Sequence, residues 1–155
     1  MKKVIFVSSS GGHFAELLRL EELFSQYEYM LVTEDTKLTR TYVDKYNIKY
    51  LKYGSRHYFL KYIFVFLTNV FKCIKIVMSF KPDTIVTTGA HTGGIMCIIA
   101  KIFRHSRIIY IESLAKTKGL SVTGKNVYPF ADKFYVQWES LALKYKKAEY
   151  LGRLI

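Results

Sequence analysis

Cysteine is nearly absent from the chain: Cys73 and Cys97 are the only two in 155 residues, and both lie in apolar stretches of helical pattern. Two thiols make neither a disulfide framework nor a structural zinc site, so a reducing cytosol is expected, with no metal. Proline is equally scarce, with Pro82 and Pro129 alone. No repeat, low-complexity run or Gly/Ser/Pro-rich linker breaks the sequence, which reads as one domain over residues 1–155. Acidic residues number 12 against 24 basic ones, and none falls between Lys45 and Pro82. The resulting net charge of +12 asks for an anionic partner: nucleic acid, a phospholipid surface or a phosphorylated substrate. Long uncharged runs are missing too. The longest within 57–80 is residues 62–71, short of the ~20 residues of a membrane span. Residues 1–8 hold only four consecutive apolar side chains, Val4 to Val7 in sequence, too few for a signal peptide, so they read as a first strand.

Aromatic residues are plentiful instead, with 13 Tyr and 11 Phe, more adhesive surface than a lone monomer needs. Short apolar runs predict strands at 4–8, 29–33, 48–53, 84–88, 107–111 and 133–136. Helical stripes predict helices at 14–27, 37–46, 92–103 and 141–147, with a long apolar stretch at 57–80. Strands alternating with helices give an α/β fold: a Rossmann-like parallel sheet with helices on both faces, binding its ligand beyond the carboxyl ends of the strands.

Those ends carry the candidate chemistry. Ser8-Ser9-Ser10-Gly11-Gly12-His13 puts glycines and a histidine between a strand and a helix, where backbone N–H groups can approach an anion. It is neither a dinucleotide fingerprint nor a P-loop, although Glu34 or Asp35 stands where a ribose-binding acid would. The plain alternative is a tight turn and helix cap. Thr87-Thr88-Gly89-Ala90-His91-Thr92-Gly93-Gly94 repeats the design, and His91 alone reads equally as a capping or surface histidine. Together Ser9, Ser10, Gly11, Gly12, Thr88, Gly89, His91, Thr92, Gly93 and Ser113 are the candidate substrate-binding residues. Glu112 in Tyr110-Ile111-Glu112-Ser113 is costly at a strand end unless hydrogen-bonded, and is either a loop pin or a catalytic carboxylate.

The stretch 57–80 carries Lys61, Thr68, Lys72, Lys75 and Ser79 at spacings of 7, 4, 3 and 4, one narrow polar stripe on a nearly all-apolar cylinder. Phe59, Ile63, Phe66, Leu67, Val70 and Phe71, flanked by Lys61, Lys72 and Lys75, are the candidate membrane contacts of an interfacial helix. A deeply buried core helix is the alternative. A nucleic-acid module is supported by charge alone, without a motif, so no nucleic acid is expected; a stand-alone nucleotide- or nucleic-acid-binding Rossmann-like protein is the runner-up.

Ser-Ser-Gly-Gly-His at 9–13, Thr-Thr-Gly-Ala-His-Thr-Gly at 87–93, Tyr-Ile-Glu-Ser at 110–113 and Phe-Tyr-Val-Gln-Trp at 134–138, in this order, resemble one family. It is the membrane-recruiting subunit of the two-part N-acetylglucosaminyltransferase of dolichol-linked oligosaccharide synthesis, and the bacterial CpsF- and PssD-like capsule and exopolysaccharide proteins look closer still. The resemblance covers nearly the whole chain. It implies the N-terminal, acceptor-side half of a GT-B glycosyltransferase, similar to the first domain of MurG, with no cofactor of its own. The nucleotide sugar would bind a separate donor-binding glycosyltransferase subunit, and the acceptor would be a lipid-linked sugar. The eukaryotic relatives have an N-terminal membrane anchor; here 57–80 or a partner is expected to hold the chain peripherally on the cytoplasmic face of the cell membrane. Inverting transfer needs a general base, and His13 and Glu112 are the catalytic candidates. The imidazole is better suited to accept a proton near neutrality.

Overall fold

The computed structural model describes residues 1–54 and 59–154, the side chains of 59–61 excepted. Its elements run β1 (Lys3–Val7), α1 (Gly12–Leu18), α2 (Glu21–Phe24), β2 (Glu28–Glu34), α3 (Lys37–Arg40), β3 (Ile48–Leu51) and α4 (Phe59–Phe80). They continue with β4 (Thr84–Thr87), α5 (His91–Arg104), β5 (Arg107–Ile111), α6 (Val122–Val127), β6 (Lys133–Val136), α7 (Glu139–Lys144) and β7 (Ala148–Tyr150). The strands form one all-parallel sheet in the order β3-β2-β1-β4-β5-β6-β7.

β1 is an interior strand, paired with β2 on one side and β4 on the other. Its continuous apolar run follows from that position, because both faces are covered. Val4 and Phe6 point to one face and pack with Leu17, Phe24, Leu31 and Val86. Ile5 and Val7 point to the other and join Cys73 and Val77 of α4, Met96 and Cys97 of α5, Val127 and Leu141. The right-handed crossover rule explains the division. Chain growth from β1 towards β3 puts α1 to α3 on the first face. The return past β1 to β4 puts α4 to α7 on the second.

That topology leaves part of the first face without a helix. Beyond β4 every crossover runs over the second face, so Val86, Ile109, Ile111 and Tyr135 line an open cavity of about 310 Å³ on the first, bordered by Leu20 and Leu23. Burial also makes both thiols inert, raising that of Cys73 to about 12 and that of Cys97 further.

Several expected boundaries shift. The helix expected at 14–27 breaks after Leu18, where Arg19 and Leu20 donate to carbonyls three residues back. These tighter turns keep Leu17, Leu20 and Phe24 on the core side. The helix expected at 37–46 ends at Arg40 and continues as turns with the same three-residue bonds. α6 and β7 carry too few residues to show a period. Within 57–80, residues 57–58 and the side chains of Phe59 and Lys61 lie outside the described residues.

The start of α5 sits so close to β4 that a Cβ on Gly93 would stand 2.1 Å from Thr87 Oγ1. That hydroxyl accepts from Gly89 N–H at 3.0 Å. Gly93→Ala should therefore cost about 1–3 kcal/mol through overpacking, lowering the thermal midpoint by roughly 2–4 °C per kcal/mol. Gly12→Ala, whose Cβ meets nothing within 4 Å, serves as control. Calorimetry showing equal midpoints for the two variants would contradict this packing.

Candidate functional site

In an open parallel sheet the ligand crevice forms where successive crossovers leave on opposite faces. Here that point lies between β1 and β4. The two loops beyond it are residues 8–11 and 88–90, those singled out by their glycines and histidines. Gly11 (φ 79°) and Gly89 (φ 89°) occupy backbone conformations that favour glycine. At Gly89 space is also short, since a Cβ would lie 3.1 Å from Tyr110 Oη and 3.5 Å from the His13 ring.

Glu34, at the end of β2, joins the loops. Its Oε2 accepts from Ser10 N–H (3.1 Å) and Ser10 Oγ (2.8 Å), and its Oε1 accepts from Thr92 Oγ1 (2.9 Å). Ser9 adds two links: its N–H donates to Gly89 O (3.0 Å) and its Oγ accepts from Thr92 N–H (3.4 Å). Glu34 thus clamps two protein loops instead of standing free to read a ribose, and Asp35 pairs with Arg40 at 2.5 and 2.9 Å.

His13, in the first turn of α1, is fixed against the second loop. Its Nδ1 lies 2.9 Å from Thr88 O, while Thr88 Oγ1 donates to His13 O at 2.6 Å. A carbonyl oxygen only accepts, so Nδ1 carries the proton. In the neutral ring this leaves the lone pair on Nε2, a tautomer able to take a proton from a substrate hydroxyl. Around it lie the starts of α1 and α5, whose first N–H groups have no partner within their own helix.

Glu112 has a different setting. It is 1% exposed, and its carboxylate accepts from Ser113 N–H (3.0 Å), Ser121 N–H (2.8 Å) and Ser121 Oγ (3.1 Å). Burial pushes its pKa up; the Ser121 and Ser113 donors and, more weakly, His13 oppose that. Ser121 also caps α6 by accepting from Gly124 N–H at 2.9 Å, and a Cβ on Gly124 would come within 2.2 Å of Glu112 Oε2. The carboxylate is therefore packed beneath the start of α6, holding the loop between β5 and α6.

Ser113 has its hydroxyl engaged, donating to Glu16 Oε1 at 3.1 Å, and Leu114 N–H donates to the same oxygen at 3.0 Å. Glu16 was missed in the sequence; its one signal is a carboxylate one turn beyond His13. Gln137 and Trp138 brace this loop from β6. Gln137 Nε2 donates to Glu112 O (3.0 Å), Gln137 Oε1 accepts from Leu154 N–H (2.7 Å), and Trp138 Nε1 donates to Leu114 O (2.7 Å).

His91 is turned elsewhere. Its Nε2 lies 3.0 Å from Tyr62 Oη, and its ring centroid is 5.8 Å from that of Tyr62 and 5.5 Å from that of Phe66, both on α4. It joins the second loop to the long helix rather than meeting His13. On α4, Ile63, Phe64, Leu67, Phe71 and Met78 are exposed, with Phe64 at 67% and Phe71 at 71%. Phe66 and Val70, grouped with the outward residues by sequence, face His91 and the core respectively, because helical rotation carries them towards Asn69, Cys73 and Val77. Lys72 and Lys75 are exposed beside the outward face. By length and composition Tyr62–Phe80 would suffice to cross a membrane, which the count of uncharged runs did not suggest. Among the described residues no three His, Cys, Asp or Glu side chains are grouped to hold a metal ion.

The chain matches the family model described as "Oligosaccharide biosynthesis protein Alg14 like" over residues 4–154. It is 30% identical to the UDP-N-acetylglucosamine transferase subunit alg14 of Schizosaccharomyces pombe, across 97% of this chain and 82% of that protein. To the subunit of the same name in Mus musculus it is 28% identical, across 99% and 83%. Among solved structures, Acinetobacter baumannii MurG superposes with a TM-score of 0.75 at 16% identity, over 91% of this chain and 43% of that one. The UDP-N-acetylglucosamine 2-epimerase of Rickettsia bellii gives 0.73 at 15%, over 99% and 45%. The chain spans less than half of each of these structures, and at such identity the likeness concerns the fold alone. That fold is the expected one, a Rossmann-like sheet matching the N-terminal half of a GT-B glycosyltransferase. With the family match extending over nearly all of its length, this chain belongs to the Alg14-like family of oligosaccharide biosynthesis proteins.

Proposed function

We propose that the chain is the acceptor-side subunit of a two-part inverting glycosyltransferase that moves N-acetylglucosamine from UDP to a lipid-linked sugar. The observation that carries this reading is His13, held through Nδ1 so that Nε2 offers a lone pair at the switch point of half a GT-B fold. In the reaction Nε2 takes the proton of the acceptor hydroxyl while its oxygen bonds to the anomeric carbon; the bond to the UDP oxygen breaks and UDP leaves with the electron pair. Ser9, Ser10, Gly11, Gly12, Thr88, Gly89, Thr92 and Gly93 would shape the walls for the acceptor's diphosphate, with donors from the start of α5. Glu112 and Ser113 act here as scaffolding, and His91 as the link to α4. The setting is bacterial capsule or exopolysaccharide assembly, peripherally on the cytoplasmic face of the cell membrane.

A separate donor-binding subunit would supply the other half. The uncovered sheet face over Val86, Ile109, Ile111 and Tyr135 suits an apolar segment of such a partner. Membrane contact would come from Ile63, Phe64, Leu67, Phe71 and Met78. Half-burying these five yields roughly 4–7 kcal/mol, and each nearby lysine adds about 1 kcal/mol at an anionic leaflet. One side of α4 is committed to the core at Asn69, Cys73 and Val77, which favours an interfacial helix over a span. On neighbouring α5, Ile98, Ile102 and Phe103 are also exposed and extend the apolar surface beyond what the sequence suggested.

The chain alone should neither bind UDP-sugars tightly nor transfer sugar; micromolar affinity in isothermal titration would overturn the two-subunit reading. In the reconstituted pair, His13→Ala should lower kcat by ~10²–10⁴. Retention of more than about a tenth of wild-type kcat at saturating acceptor would exclude His13 as the base. Glu112→Gln should instead lower the thermal midpoint, because an amide N–H replaces a carboxylate oxygen before at least one donor, Ser113 N–H, at a cost of about 1–3 kcal/mol. Leu67→Glu with Phe71→Glu should abolish flotation with vesicles that the wild-type chain binds; undiminished flotation would leave α4 without a membrane role.

A further inference from the structure

Two cavities lie along the exposed side of α4 and share a pair of lysines. One, of about 440 Å³ and open to solvent, is lined by Phe64, Leu67, Thr68, Phe71, Lys72 and Lys75, all on α4. The other, of about 310 Å³, runs from the same Lys72 and Lys75 to Lys49 and Tyr50 of β3 and to Ser79. An open apolar surface of α4 thus adjoins a pocket lined by three lysines and Ser79, whose hydroxyl donates to the Ile76 carbonyl.

The charge in that pocket is uncompensated. Among the described residues no carboxylate lies within 4.0 Å of Lys49, Lys72 or Lys75, and residues 46–82 contain no Asp or Glu at all. Asp35 is near enough for Lys72 to favour its ionised form, but Arg40 holds it. Lys72 Nζ reaches only the carbonyl of Tyr50, at 3.4 Å. Neighbouring Lys52 lies over the Phe64 ring, 5.6 Å from its centroid, and adds to the positive field.

We infer that this pair of cavities is a binding site for one anionic phospholipid of the bilayer, its phosphate headgroup among Lys49, Lys72 and Lys75 and an acyl chain along Phe64, Leu67 and Phe71. The inference rests on the membrane reading of α4 and adds a defined headgroup pocket to it. The pocket is separate from the reaction centre. Tyr62 touches His91 beside the site, and Lys72 and Lys75 follow ten and thirteen residues later, about 15 and 20 Å farther along the helix. The phosphate held there is therefore a bilayer lipid's and not the acceptor's reacting diphosphate. A lipid seated this way fixes how α4 lies on the membrane, and so the direction in which the His13 edge of the sheet faces.

The test uses the full chain with soluble dihexanoyl phosphatidic acid, dihexanoyl phosphatidylcholine and inorganic phosphate in isothermal titration, and with vesicles in flotation. Saturable binding of the phosphatidic acid is expected, with phosphatidylcholine and inorganic phosphate each weaker by about tenfold or more. Lys49→Ala with Lys75→Ala should lose about tenfold in affinity, whereas Lys81→Ala, a basic change outside the pocket, should not. Equal binding of the three probes, or equal loss on Lys81→Ala, overturns the pocket. So does undiminished flotation of the double variant on phosphatidylcholine vesicles with about 20% phosphatidic acid, a result that leaves the membrane reading standing if Leu67→Glu with Phe71→Glu still abolishes flotation. Failure of the wild-type chain to float with vesicles of any composition overturns the membrane reading itself.

Discussion

The carboxylate of Glu34 holds together two loops that the sheet would otherwise leave side by side. Pairing β1 with both β2 and β4 sends the following helices to opposite faces and opens a crevice at the strand ends. Ser9 N–H reaches across that crevice to Gly89 O, and Glu34 adds a carboxylate bridge, with one oxygen on Ser10 and the other on Thr92. An ionised acceptor makes these stronger than neutral hydrogen bonds, and the position of His13 depends on them through Thr88 and Gly89, which belong to the clamped loop.

Around this joint the polar residues divide the work. Glu112 immobilises the loop after β5 from within it, and Glu16, Gln137 and Trp138 do so from residues far apart in the chain. His13 leaves one ring nitrogen for the proposed proton transfer because the other is tied to a backbone carbonyl. His91 binds to α4 and Thr92 to Glu34, so the start of α5 is anchored to the helix with the exposed apolar face at one residue and to the crevice at the next. The proposed lipid-linked acceptor would use both surfaces at once: a polar crevice for its sugar and diphosphate, and an apolar edge for its tail. The chain brings them together through two consecutive residues.

The uncovered half of the first sheet face has the same origin as the crevice. Once the order reverses at β4, all later crossovers lie over the second face. The chain's helices therefore leave Ile109 and Ile111 only partly covered, however apolar those strands are. A fold that makes one good crevice in this way leaves one sheet surface for something else to cover.

Short apolar runs of β-branched and aromatic residues mark six of the seven strands in sequence, most clearly β1, whose run is continuous because both of its faces are buried. The sequence by itself determined the two glycine loops, since only residues without side-chain bulk suit those turns, and it marked His13 by its place in the first of them. It did not give helix ends, because periodicity cannot distinguish a helical turn from the tighter three-residue bonds at Arg19 and Thr41. β7, with three residues, and α6, with six, are too short to carry a period at all. Tertiary structure alone decided what the polar residues do. Glu34 meets Thr92 across 58 positions and Glu16 meets Ser113 across 97, and such pairings follow from strand order, which no local pattern encodes. It also decided which side of α4 faces out: Phe66 and Val70 look like Leu67 and Phe71 in sequence, and only the position of α5 and the sheet beneath turns the first pair inward.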